Sequence, residues 1–408
     1  MTSEHTSQKE FIFLVALLTA MVAMSIDTML PAIGSMATEF GVNDPNKRQY
    51  IITTFFGGMT IGTLLSGPIS DSTGRKPAIF AGLLIYLAGS ALCLFSTSFE
   101  MLLAGRAIQG FGAASPRIVS MAMVRDGQGG AAMARIMSFV MSVFMLVPIM
   151  APSVGQLVLL FGSWRMIFIG LAGMAVIGAI FLEVRQEETL PRDKRVKFSA
   201  VNLYHSGKEF FRYPAAWGYT VAVGFIFAAF IAYLGTSQQI FAEQYLQGKL
   251  FAVWFGVFAV AIACAMIFNG RMVMVHGMRK LSKFAVRGCF VISAVFAAVA
   301  LAYMGHPPLW TFGIYLFSTF FCCGIMFGNY NAMALEPVGH IAGMAAAISG
   351  TVSSLVAIVI GGWIGQQYDG TVMPLVYGFL AMSALAFLTS EYAEYAKSKG
   401  MKNPRLVD

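Results

Sequence analysis

Apolar runs of about 20 residues, separated by short polar breaks, repeat along this chain from one end to the other. Runs of that length predict helices that cross a hydrocarbon layer about 30 Å thick. The alternation in segments of about 10 residues that marks barrel strands is absent. Span 1 is predicted from Phe11 to Gly34, span 2 from Tyr50 to Ser70 and span 3 from Pro77 to Thr97. Span 4 follows from Met101 to Val124, span 5 from Met137 to Leu160 and span 6 from Trp164 to Leu182. Glu183 to Tyr213 then breaks the pattern. It is the longest polar segment, carries both charge signs, and contains a short amphipathic stretch from Ala200 to Phe211. Six further spans are predicted at 214–236, 250–272, 282–304, 309–332, 342–366 and 372–395. The expected fold is therefore an all-α polytopic membrane protein: twelve transmembrane helices in two six-helix bundles. The bundles are residues 1–184 and 214–408, joined by a cytoplasmic linker over 185–213. Such a six-linker-six plan suggests a duplicated unit.

Composition removes the alternatives. The chain is 58% hydrophobic and only 11% charged, against about 25% charge in average soluble proteins. A net charge of +8 raises nucleic acid as a partner, but the bases sit where membrane orientation puts them. With both termini cytoplasmic, inside segments hold 21 of the 27 Lys and Arg residues, including Lys402 and Arg405 of the tail. Outside loops hold 4, namely Lys47, Arg48, Arg165 and Lys249. The bilayer is thus the expected partner and nucleic acid is not. The five cysteines lie in apolar runs without metal-ligand spacing, which predicts buried packing thiols. The five histidines, His5 among them, are scattered, so no metal is expected. No phosphate-cradling G-x-x-x-x-G-K loop and no Ser/His/Asp constellation occurs. Neither an enzyme nor a cofactor is expected. The first span has no small-residue cleavage site after a short apolar core and is expected to be retained.

Several polar residues stand out against this background. Gly67-Pro68-Ile69-Ser70-Asp71-Ser72-Thr73-Gly74-Arg75-Lys76 forms the turn between spans 2 and 3. Gly67 is expected to let another backbone approach, Gly74 to permit a tight turn, and Asp71 to pair with a base or cap a helix. Arg75 and Lys76 hold the turn at the cytoplasmic face. Arg125-Asp126 closes span 4 at that face, where a salt-bridge cluster with Asp71 would lock the inner side. Asp27 lies deep in span 1, where a carboxylate must take up a proton or find a partner. Arg106, Gly110, Ala113 and Arg117 are spaced four, three and four apart in span 4, one face of an unbroken helix, although Pro116 threatens a kink. Gln109 and the glycines suggest a packed interior face there. Arg117 has two open readings, lining a cavity or snorkelling to the interface. Gly58, Gly62 and Ser66 make a small-residue stripe in span 2, and Pro148, Ala151, Pro152 and Gly155 bend and thin span 5.

Read in order, these signatures resemble the major facilitator superfamily, in particular the twelve-span drug/proton antiporters of the Bcr/CflA multidrug-efflux branch. The resemblance rests on Ser25 to Ile33, Gly67 to Lys76, Arg106 to Gly112, Val124-Arg125-Asp126, Pro148 to Gly155 and Trp164 to Phe168. It is specific over residues 20 to 170 and rests on span layout beyond them. Ala151, Gln156 and the run Ser115-Pro116-Arg117 depart from the usual pattern. The resemblance implies export of small amphiphilic compounds by alternating access, with the proton gradient as the energy source and no bound cofactor. It implies a multi-pass protein of the bacterial inner membrane, working as a monomer. Asp27 and Arg106 would couple to protons, and Asp27, Gln109, Ala113 and Arg117 would line the substrate cavity. Gly67, Asp71, Gly74, Arg75, Lys76, Arg125 and Asp126 would form the cytoplasmic gate, and Pro148, Pro152 and Gly155 the span 5 antiporter motif. Two competing functions are an importer or facilitator of a small solute, an anion if it is held by Arg106 or Arg117, and a non-transporting membrane receptor or scaffold.

Overall fold

The computed structural model describes residues 8–127 and 130–401. His5, Lys402 and Arg405 lie outside them. Every regular element among the described residues is helical, and twelve helices are long. They are α1 (Gln8–Asp27), α2 (Tyr50–Thr73), α3 (Arg75–Leu94), α4 (Phe99–Gly127), α5 (Gly130–Phe161) and α6 (Arg165–Arg185). The second set is α7 (Pro214–Gln239), α8 (Phe251–His276), α9 (Met278–Ala302), α10 (Leu309–Leu335), α11 (Ala342–Gln366) and α12 (Met373–Ser398). Nine stretches among the described residues are long and apolar enough to cross a bilayer, and one of them, Leu309–Gln366, holds both α10 and α11. In α5 the apolar part is the shorter stretch Met145–Phe161. The remaining helix, α4, carries Arg106, Gln109 and Arg117 and is the least apolar of the twelve long helices.

The chain sorts into two compact units. One holds the sequence up to Val42 together with Thr54–Ser199; the other holds Asn43–Thr53 and everything from Ala200 onward. In the first unit α1 packs against α4, α5 and α6, and α3 against α4 and α6. In the second, α7 packs against α10, α11 and α12, and α9 against α10 and α12. Adding six to each helix number turns one scheme into the other, so the duplication suggested by span layout is plain in the packing. The second unit also binds the segment before α2. Asn46 Nδ2 donates to the carbonyls of Gln366 (3.0 Å) and Tyr368 (2.8 Å), and Gln49 Nε2 donates to Gln239 Oε1 and the Gly365 carbonyl, both at 2.9 Å.

Three local expectations are corrected. Span 1 is not one helix to Gly34: α1 stops at Asp27, a 3-10 turn covers Leu30–Ala32, and a second helix runs over Ile33–Glu39. Pro31 has no N–H to continue the ladder, and Thr28 Oγ1 turns back onto the Met24 carbonyl. Pro116 does not interrupt α4. Of the five thiols, Cys264 is exposed, while Cys93, Cys289, Cys322 and Cys323 are buried.

Close helix contacts follow glycine, because association in lipid relies on backbone approach rather than on a hydrophobic drive. A Cβ on Gly58 would lie 1.9 Å from the Ala107 carbonyl oxygen, and one on Gly62 would lie 2.5 Å from that of Phe111. On the α4 side, a Cβ on Gly110 would lie 1.9 Å from the Phe55 carbonyl oxygen. The stripe read from span 2 is thus a backbone contact with α4. Gly67 corrects the reading of the α2–α3 turn: a Cβ there would meet nothing within 4 Å, so no backbone approaches it. Gly58→Val should therefore lower the thermal midpoint in detergent by several degrees, since overpacking costs about 1–3 kcal/mol. Gly67→Ala should leave it nearly unchanged. Equal losses would mean that helix approach is not what selects glycine at position 58.

Candidate functional site

The interior site starts from a charge that has no water to solvate it. Arg106 on α4 has no exposed surface. Its Nη2 donates to the Ser25 carbonyl on α1 at 3.0 Å, and its Nη1 donates to Gln109 Oε1 at 2.5 Å. The guanidinium also lies 4.4 Å from the centre of the Phe55 ring, a favourable cation–π arrangement. Gln109 carries the network on, donating from Nε2 to Ser90 Oγ at 2.9 Å, and Ser90 Oγ donates to the Tyr86 carbonyl at 2.8 Å. Tyr86 OH meets Ser25 Oγ at 2.6 Å, and Ser25 Oγ donates to the Met21 carbonyl at 2.7 Å. The circuit therefore joins α1, α3 and α4. Its members are buried, as a charge inside a bundle requires.

Asp27 lies two residues beyond Ser25, at the end of α1. It is 6% exposed and has no hydrogen-bond or ion-pair partner among the described residues. Arg106 bonds to the backbone beside it. Close by, α5 presses on the break in α1: a Cβ on Gly155 would lie 2.1 Å from the Thr28 carbonyl oxygen and 3.1 Å from Pro31 Cγ. Pro148 and Pro152 both lie within continuous α5, Pro152 buried and Pro148 half-buried. Gln109 and Ala113 correct the cavity reading. Both have no exposed surface, so the face they share with Arg106 points into the bundle. Arg117, by contrast, is exposed in mid-helix, with Nη1 4.0 Å from Met59 Sδ on α2.

A second cluster sits at the α2–α3 turn. Arg75 Nε donates to Asp126 Oδ2 at 2.7 Å, its Nη1 donates to Ser70 Oγ at 2.8 Å, and it pairs with Asp71 one turn earlier. Lys76 pairs with Glu183 at 3.0 Å. Arg125 is exposed and outside the cluster; Asp126 alone of that pair joins it. Gly74 adopts φ +109°, a left-handed value that favours glycine, and a Cβ there would lie 2.5 Å from Glu188 Oε2. Sequence reasoning missed Glu188. Its carboxylate accepts from the Arg75 N–H at 2.9 Å and the Lys76 N–H at 3.1 Å, capping α3 from 112 residues away. The only prior signal was the acid pair Glu187-Glu188 ahead of Pro191. In the second unit Arg279 opens α9 and pairs with Glu394 at 2.9 Å and Glu336 at 3.3 Å. The start of α9 thus takes its acids from α12 and from the residue after α10.

The family model of the Major Facilitator Superfamily matches residues 13–362. An uncharacterized MFS-type transporter of Bacillus subtilis, YdgK, is 27% identical over 381 residues, 93% of this chain and 92% of its own. The Bicyclomycin resistance protein homolog of Haemophilus influenzae is 27% identical over 391 residues, 93% of this chain and 96% of its own. Among solved structures, the xylose transporter XylE from E. coli superposes with a TM-score of 0.71 at 12% identity, covering 93% of this chain and 96% of that one. At that identity the likeness shows the fold alone.

Burial should set how strongly the cluster members depend on each other. The side chain of Arg75 is 9% exposed, that of Asp126 22% and that of Asp71 50%. A denaturation double-mutant cycle on Arg75→Ala and Asp126→Ala should give a coupling of about 1–3 kcal/mol. The cycle with Asp71→Ala should give about 0–1 kcal/mol, as for exposed pairs. A larger coupling to Asp71 would show that the half-exposed pair, rather than the link to α4, holds the turn.

Proposed function

Because the chain belongs to the Major Facilitator Superfamily, we propose that it is a proton-coupled secondary transporter that exports small amphiphilic compounds by alternating access. One observation carries this reading: Asp27 is a buried carboxylate without a partner among the described residues, two residues from the carbonyl that Arg106 binds. A lone acid at membrane depth is costly unless it is protonated or paired. A proton and a cationic cargo can therefore exchange at one point, since binding of either removes the same unfavourable charge. The broken end of α1, pressed by Gly155, supplies a backbone able to respond. The resistance name of the Haemophilus influenzae relative supports a drug-like cargo. Its proton source is the transmembrane gradient, and no cofactor enters the cycle.

The distribution of basic residues supports an orientation with both termini and the α2–α3 turn in the cytoplasm, and the setting proposed is a bacterial inner membrane. In that setting the Arg75 cluster ties the inner ends of α2, α3 and α4, with Glu188 from the segment after α6. Release of these ion pairs when the inner side opens is the step the cluster would regulate. One observation favours a second reading. Arg117 is a cation exposed in mid-helix, which suits an organic anion as cargo and an importer or facilitator as the function.

Inverted vesicles with an acidified lumen and a pH-sensitive dye separate these. An exporter should dissipate the gradient when a substrate from a drug panel is added, as lumenal protons exchange for cargo. Asp27→Asn should reduce gradient-driven accumulation to the passive leak while ligand binding stays detectable. Full uphill transport by that variant would remove Asp27 from the mechanism. Uptake of a labelled organic anion into right-side-out vesicles, lost in Arg117→Gln, would establish the second reading instead.

A further inference from the structure

The helix Ala200–Phe211 ahead of α7 has two faces with different partners. Phe210 is fully buried against Ala216, Val338, Ala345 and Ile348, and Glu209 Oε1 meets His340 Nε2 at 2.6 Å. That face is docked on the second unit. On the opposite side Val201, Tyr204, Lys208 and Phe211 follow one another at intervals of three, four and three residues. Val201 is 62% exposed and Tyr204 69%. Arg212 closes the same stripe.

We propose that this outer face lies in the headgroup layer of the adjoining lipid leaflet and that Lys208 and Arg212 select anionic phospholipids. The helix runs through Arg212 and Tyr213 directly into Pro214, the first residue of the membrane helix α7. One turn further on, Trp217 meets Tyr392 with ring centres 5.5 Å apart, and Tyr392 and Tyr395 on α12 are exposed. Exposed Trp and Tyr at helix ends mark the boundary between hydrocarbon and water. The C-terminal end of the helix therefore lies at headgroup level. Apolar side chains flanked by bases are the composition of a helix that lies in that layer, with its apolar face about 5–10 Å deep. The only acid of the helix, Glu209, is turned away from the lipid stripe toward His340, which leaves a positive surface for anionic phosphates.

The test uses the full chain with Cys264→Ser, which removes the exposed thiol, and a nitroxide placed at Tyr204→Cys or, for comparison, at Asn202→Cys. The protein is reconstituted in phosphatidylcholine vesicles with and without phosphatidylglycerol. Collision with oxygen should exceed collision with a water-soluble nickel chelate at 204 but not at 202. The 204 label should lie deeper when phosphatidylglycerol is present. Lys208→Gln with Arg212→Gln should abolish that dependence on lipid charge while leaving circular dichroism unchanged. Nickel-dominated collision at 204 in both vesicle types would overturn the proposal. So would shielding that persists in detergent and rises with protein concentration, which would assign the face to a second copy. The readout is independent of transport, so it stands or falls apart from the proposed function.

Discussion

Inside a bilayer a polar group finds its partner within the protein or goes without, and that constraint organises the first unit. Arg106 is the extreme case, a guanidinium with no exposed surface. The fold answers it with the Ser25 carbonyl, the Gln109 amide and the Phe55 ring. Gln109 is then committed to Ser90, and Ser90 to Tyr86, whose hydroxyl returns to Ser25. Networks of this kind stiffen one another in a low dielectric. The α1–α3–α4 core is held by polar contacts at depth as well as by packing.

Backbone approach and ion pairing divide the remaining task by location. At membrane depth glycine brings α2 and α4 together, with Gly58 and Gly110 each facing a carbonyl of the other helix. At the helix ends charge takes over, as at Arg75 and again at Arg279. Dispersion contacts between close backbones act at short range and do not depend on ions. The half-exposed pair of Arg279 with Glu336 is worth little, whereas the buried Arg75 is held more firmly by Asp126.

Hydropathy made the twelve helices legible because a span needs about 20 apolar residues whatever its neighbours do. Details that depend on neighbours were less accessible. Spacing grouped Arg106, Gly110, Ala113 and Arg117 on one face, but Arg106 and Ala113 are buried while Arg117 is exposed, because periodicity carries no information about whether a face meets a cavity or another helix. Gly67 and Gly74 look alike in the turn motif; only the left-handed backbone at Gly74 requires a glycine, and Gly67 borders open space. Glu188 went unseen because capping α3 from beyond α6 is a tertiary event with no local periodicity. The duplication, suggested by span layout, is clear in helix pairs, since packing geometry persists after side chains have diverged.

The contrast between Arg106 and Asp27 bears on which charge can do work. A buried ion whose bonds are complete gains little from a new ligand, so its state is insensitive to what arrives. An unpaired one is different. Desolvating a carboxylate is unfavourable by several kcal/mol even after relaxation, and a proton or a cationic cargo removes that burden. Shifting a two-state protein from 1:99 to 99:1 takes about 5.5 kcal/mol of differential binding. The two magnitudes are comparable, so a single carboxylate at the broken end of α1 is sufficient in energy to bias a transporter between its states. The satisfied Arg106 circuit ties α1 to α3 and α4 two residues before that end.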